Sequence, residues 1–248
     1  MKKTLLLFTT YLCLGVSAIF AQNVNIPDAN FKAYLVGNAS INTNSDNEIS
    51  VAEAQAFTGE LLINGLSISD LTGIEAFVNI TRLDCYSNNL TSLDVSNNLA
   101  LTRLHCAANQ IETLDISANS LITDIQCHNN GVLNQLNIAN GNNVNINWMK
   151  AYGNSLSCIQ IDAGITPPAE AGLYSQGWTK GNSAFYSDDC AALNQIVNIP
   201  DTNFKSFLVN DSSINLNNDS EITVAEAQAT TELIMNGIGI ADLTGIEA

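Results

Sequence analysis

The chain has 248 residues, with 24 Asp/Glu against 8 Lys/Arg, a formal net charge of −16, and 13% charged residues in all. A surface this acidic repels nucleic acid and anionic membranes, which makes both poor partners. Heavy Asn usage and many small residues fit a secreted, hydrogen-bond-rich β architecture better than disorder.

Residues 1–21 carry Lys2 and Lys3, then the apolar run Leu5–Leu14, then small residues ending at Ala21 before Gln22. This is the pattern of a secretory signal peptide, too short and wrongly flanked for a membrane span. Cys13 follows Leu12 and does not sit in a lipid-attachment box, and no later stretch is long and apolar enough for insertion into a bilayer. A secreted or cell-surface location is therefore expected. Removing the signal leaves six Lys/Arg against 24 Asp/Glu, a net charge of about −18.

Residues 22–60 read as a small helical cap. A short helix is expected over Asp28–Val36 behind Pro27, with Phe31 and Leu35 at i and i+4 on one face. An Asn/Asp-rich loop follows, and counted as a twelve-residue calcium loop it places Asn42, Asn44, Asp46, the Glu48 carbonyl, Ser50 and Glu53 at the ligand positions. Those residues resemble an EF-hand loop. Asn47 stands where the sharp turn wants Gly, and Asn42 replaces the usual first Asp. The low ligand charge implies a weak, extracellular-range Ca²⁺ site. The competing reading stays open: Ser50 and Glu53 form a capping box that opens a helix over Val51–Phe57, and the loop is a solvated turn.

Residues 61–156 are repetitive. Ile80, Leu83, Cys85, Asn88 and Leu90 recur as Leu101, Leu104, Cys106, Asn109 and Ile111, and again as Ile122, Ile125, Cys127, Asn130 and Val132, at a period of 21. Ile146, Met149, Ala151, Asn154 and Leu156 close the series at a spacing of 24. This is the L-x-x-L-x-L-x-x-N-x-L pattern of a leucine-rich repeat, in which each turn adds a short parallel strand and stacked turns share one core. The Asn column is expected to satisfy backbone groups buried between turns, and the Cys column to fill interior slots as small hydrophobes, not to hold zinc. Leu93–Val95, Leu114–Ile116 and Leu136–Ile138 are expected on the opposite wall. Ile63, Leu66, Ile68, Leu71 and Ile74 look like a degenerate first turn.

Residues 157–190 read as a C-terminal cap, with Pro167-Pro168 breaking the period and Trp178 and Phe185 covering the last turn. Cys158 and Cys190 stand outside the 21-residue period and are expected to pair as a disulfide in an oxidising compartment. Residues 196–248 then return to the beginning: Val24–Asp28 reappears as Val197–Asp201, and the acidic loop as Asn215, Asn217, Asp219, Glu221, Thr223 and Glu226. The offset is 173 residues as far as Gly59, which the second copy lacks. Ala248 corresponds to Ala76, so the sequence reads as a fragment of a longer modular protein, stopping at the start of a second repeat array.

With these motifs in place the chain resembles the secreted, internalin-like leucine-rich repeat proteins of bacteria. The resemblance implies an α+β solenoid: a helical EF-hand-like N-terminal cap, a short array of parallel strands, a disulfide-bonded C-terminal cap, and here a second copy of the N-terminal cap. It also implies adhesion or recognition and no enzymatic activity. The variable strand positions gather three of the six basic residues of the mature chain and both histidines. Arg82, Tyr86, Arg103, His105, His128, Trp148, Lys150 and Tyr152 are therefore the candidate partner-binding residues, for a protein or glycan ligand. The alternative is a structural surface protein whose tandem modules self-associate. No phosphate loop, dinucleotide fingerprint or His-Glu zinc motif occurs, and no nucleophile stands beside the histidines.

Overall fold

The computed structural model describes residues 22–181, 184–193, 195–216 and 218–248. The expected signal peptide and Asn217 lie outside the described residues. Helix α1 spans Ala29–Val36 and α2 spans Val51–Ala56. Asp28 caps α1 by accepting from the backbone N–H groups of Asn30 and Phe31, and its other oxygen accepts from Ser69 N–H at 2.8 Å. One carboxylate thus starts the helix and ties it to the first turn of the array. Ser50 and Glu53 close a reciprocal capping box at α2.

Among the described residues ten three-residue strands follow: β1 Glu60–Leu62, β2 Arg82–Asp84, β3 Arg103–His105, β4 Thr113–Asp115, β5 Asp124–Gln126, β6 Gln135–Asn137, β7 Trp148–Lys150, β8 Cys158–Gln160, β9 Gly177–Thr179 and β10 Phe185–Ser187. They make two parallel sheets, ordered β1-β2-β3-β5-β7-β9 and β10-β8-β6-β4. The chain climbs one rung per repeat and, from β3 onward, its strands alternate between the walls. Each strand centre points inward because side chains alternate across a strand. Leu61, Leu83, Leu104, Ile125, Met149 and Trp178 from one wall, with Leu114, Leu136 and Ile159 from the other, are buried in a single core. Full burial of each such side chain is worth about 1.5–3 kcal/mol, and no single rung could bury its own stripe.

Between rungs the Asn ladder works as the spacing predicts. Asn109 Nδ2 donates to the carbonyls of Cys85 and Cys106, and its Oδ1 accepts from Leu90 N–H. Asn88, Asn130 and Asn154 repeat the arrangement. A second ladder lies on the other side of the core, where Asn98, Asn119 and Asn140 also recur at 21 residues: their side-chain amides donate to carbonyls of the preceding turn. The residue before each ladder Asn adopts a left-handed conformation, at Ser87, Ala108, Asn129 and Gly153.

The first turn differs from expectation at one position. Leu66 falls in the slot that Asn fills elsewhere, cannot hydrogen-bond there, and is 37% exposed, while its backbone N–H is satisfied by Asn88 Oδ1. At the other end Trp178 seals the core, with its indole N–H donating to Ile146 O. Tyr186, and not Phe185, packs beside it at 5.5 Å between ring centroids. Register explains the exchange: Tyr186 pairs with inward Ile159, whereas Phe185 lies opposite Cys158.

The disulfide joins Cys158 to Cys190, at the start of helix α3, Cys190–Leu193. Helices α4, Thr202–Val209, and α5, Val224–Ala229, repeat α1 and α2, with Asp201 and Thr223 as their caps. They enclose a separate small core of Val197, Ile199, Phe204, Leu208, Ile214 and Ile222. Leu71 and Ile74 are 5% and 3% exposed, whereas their counterparts Leu243 and Ile246 are 43% and 50% exposed.

Candidate functional site

The larger sheet turns two outward columns away from the core. By register, one runs Glu60, Arg82, Arg103, Asp124, Trp148, Gly177, and the other Leu62, Asp84, His105, Gln126, Lys150, Thr179. Neighbouring strands lie about 4.8 Å apart, so each column is a closely spaced row of side chains.

Charge is matched along most of this face. Arg82 donates to both oxygens of Asp84, at 2.9 and 2.6 Å, and lies 3.4 Å from Glu60. His105 stands between two carboxylates, with Nδ1 3.2 Å from Asp84 and Nε2 3.1 Å from Asp124. The Nε2 approach is too oblique for a hydrogen bond. His128 stacks on Tyr152 with centroids 4.6 Å apart. Burial first, then the nearby His105 and Lys150, push its pKa below the ordinary 6.5, which favours the neutral ring at pH 7. Arg103 is exposed and Tyr86 is 39% exposed.

Lys150 is not part of the accessible surface. It is 1% exposed, and its ammonium donates to Gly172 O at 3.0 Å and to Thr179 Oγ1 at 2.8 Å, 5.6 Å from the Trp148 ring centre. Burial lowers its pKa. An outward position can be this buried only if something covers it, and the cover is the segment around Glu170–Tyr174. That loop is further held by Ala171 N–H to Trp178 O, Thr179 Oγ1 to Ala171 O, and Tyr186 Oη to Glu170. Its tip presents Leu173 and Tyr174, 47% and 92% exposed. In the sequence this extension is signalled only by Pro167-Pro168, which mark a break in the period and not a loop crossing the sheet.

The acidic loop of the first cap closes on itself. Glu53 Oε1 accepts from Thr43 N–H, Thr43 Oγ1 and Asn44 N–H, and Oε2 from Ser50 N–H and Oγ. Burial opposes ionisation of Glu53, but the Ser50 and Thr43 hydrogen bonds outweigh it and bring its pKa down to about 2. Asp46 accepts from Glu48 N–H and Asn44 Nδ2, while the Glu48 carboxylate pairs with Lys32 at 2.6 Å. Asn42 donates to the carbonyls of Val36 and Asp46, leaving Oδ1 buried with no hydrogen-bond partner. In the second copy Asn215 does the same, Lys205 pairs with Glu221, and Glu226 accepts from Leu216 N–H and Thr223. Among the described residues no three His, Cys, Asp or Glu side chains converge as a metal cluster.

The fold and its inter-rung Asn ladder define a capped leucine-rich repeat solenoid. Among solved structures, the functional domain of InlJ from Listeria monocytogenes, which includes a cysteine ladder, is similar to 56% of this chain, with 30% identity and a TM-score of 0.46. The chain spans 30% of the length of that structure. The internalin InlF of Listeria monocytogenes strain 4b F2365 is similar over 69% of this chain and 74% of its own, with 16% identity and a TM-score of 0.35. No protein-family model and no curated protein matches the sequence. Among the described residues no helix is long and apolar enough to cross a membrane.

Proposed function

We propose that this protein is a secreted, non-catalytic recognition module that binds a protein ligand through the outward face of its larger sheet. The observation that carries this reading is one of concentration. In a chain with a net charge of −16, both arginines, both histidines, Trp148, Tyr86 and Tyr152 share one face of a rigid scaffold. Aromatic rings beside Arg suit protein interfaces, where such residues dominate binding energy. The test is the double variant Trp148→Ala/Tyr152→Ala, measured against a bound ligand by surface plasmon resonance. At least a tenfold loss of affinity with an unchanged melting temperature supports the reading; equal affinity moves the site elsewhere.

A second reading, calcium binding by the cap loops, is favoured by one observation. The buried, unpartnered Oδ1 atoms of Asn42 and Asn215 stand at the same position in both copies. The donors that saturate Glu53 oppose it, so an ion there would have to displace hydrogen bonds the loop already makes, and its affinity would be weak. A calcium-dependent rise in melting temperature that Asp46→Asn abolishes supports this reading, and its absence at millimolar calcium counts against it.

A further inference from the structure

This inference deepens the strand-face reading and rests on it. Arg103 sits on β3, between Arg82 and Asp124 in register. Both neighbours are engaged, Arg82 with Asp84 and Glu60, and Asp124 by accepting from Gln126 Nε2 at 3.3 Å, with His105 Nε2 3.1 Å away. Lys150 is covered and bonded to Gly172 and Thr179. Arg103 alone is exposed, with no ion pair or side-chain hydrogen bond to any described residue. Trp148 lies two strands along the same column, roughly 10 Å away. The scaffold gains no ion pair or side-chain hydrogen bond from this arginine.

We propose that Arg103 is the anchor for a single carboxylate on the protein ligand, with Trp148 taking an apolar side chain beside it. A guanidinium binds a carboxylate through two parallel hydrogen bonds, which fixes orientation as well as charge. The acidity of the whole chain restricts the anion. Its field repels a polyanion at long range, whereas a lone carboxylate on a neutral or basic ligand meets Arg103 at contact distance, inside the screening length of about 8 Å. The ligand is therefore a polypeptide segment with one Asp or Glu and an apolar or aromatic side chain two to four residues away, since an extended chain covers about 3.3 Å per residue.

A phage-displayed library of random dodecapeptides, panned on the full chain, tests this. The enriched peptides should carry that pattern. A synthetic peptide of their consensus should bind Arg103→Gln at least tenfold more weakly than the parent, with Arg103→Lys recovering part of the loss. Trp148→Ala should also weaken it, and the melting temperature of Arg103→Gln should match the parent. Peptides that depend on Trp148 but ignore Arg103→Gln, or that are enriched in Lys and Arg, overturn the anchor and leave the strand-face reading standing. Peptides indifferent to Arg103, Trp148 and Tyr152 alike, or no enrichment at all, overturn both.

Discussion

The side-chain amide of Asn109 reaches back one turn to the carbonyl of Cys85, at 3.0 Å, while its own oxygen accepts from Leu90 N–H at the same distance. Asn is the residue that can do both, having a donor and an acceptor on one short planar group. The pair explains why a core lined by Leu, Ile and Cys tolerates buried polar residues at a fixed period: backbone groups that turn out of the strands have no ladder partner and no water.

Asn109→Ala should therefore destabilise the array by about 2–4 kcal/mol, since it leaves at least two buried backbone groups unpaired at roughly 1–3 kcal/mol each, partly relieved by relaxation. Urea unfolding of the variant, followed by far-ultraviolet circular dichroism, measures this. A loss below about 0.5 kcal/mol would show that the ladder is dispensable.

The cap should be acid-labile through Glu53. Its folded pKa of about 2 lies below the ordinary 4.5, so the unfolded chain holds the proton more tightly than the folded one. Its stabilisation is complete above about pH 4.5 and is lost as pH falls through about 2. Glu53→Gln should reduce stability at pH 7 and flatten the pH dependence across that interval. Parallel pH–stability curves for the parent and the variant would assign the acid lability elsewhere.

Lys150→Met should free the loop that crosses the end of the sheet. The substitution removes two hydrogen bonds and also an ammonium held away from water, so global stability should change by less than about 1.5 kcal/mol. Hydrogen exchange over residues 170–176, read by mass spectrometry, should nevertheless speed up. Unchanged protection there would mean that Ala171 and Glu170 hold the loop without the lysine.

The thiols of Cys85, Cys106 and Cys127 should stay unlabelled by maleimide in the native protein and react fully in denaturant. All three are fully buried, and burial drives the Cys106 pKa up to about 12, so little thiolate is available to attack. Rapid native labelling of any of them would contradict the closed core.

Much of this architecture was legible before any coordinate. A period of 21 residues with Leu, Cys and Asn at fixed phases can be satisfied by few structures, because each position is bound to the same neighbour one turn away. Phe31 and Leu35 marked the buried face of α1, and the two cysteines outside the period were left to bond to each other. The candidate binding residues were legible only as outward positions. Periodicity says which way a side chain leaves its strand, not what later crosses above it.

The sequence by itself determined the solenoid, its rung spacing, the inward columns and the repeated cap, since all of these follow from local pattern and nearest-neighbour stacking. Only the tertiary structure decided that Lys150 lies beneath a loop, that Glu53 is consumed by its own backbone, and that Arg103 remains unpaired between neighbours that have found partners. The first two depend on contacts to loop residues 22 and 10 positions away, Gly172 and Thr43, which lie outside the repeat pattern. The third is a choice among in-register neighbours, where Arg82 pairs with Asp84 and leaves Arg103 without a partner. Repetition places the side chains, but neither where an irregular loop lands nor which adjacent charges pair is encoded in a repeat pattern.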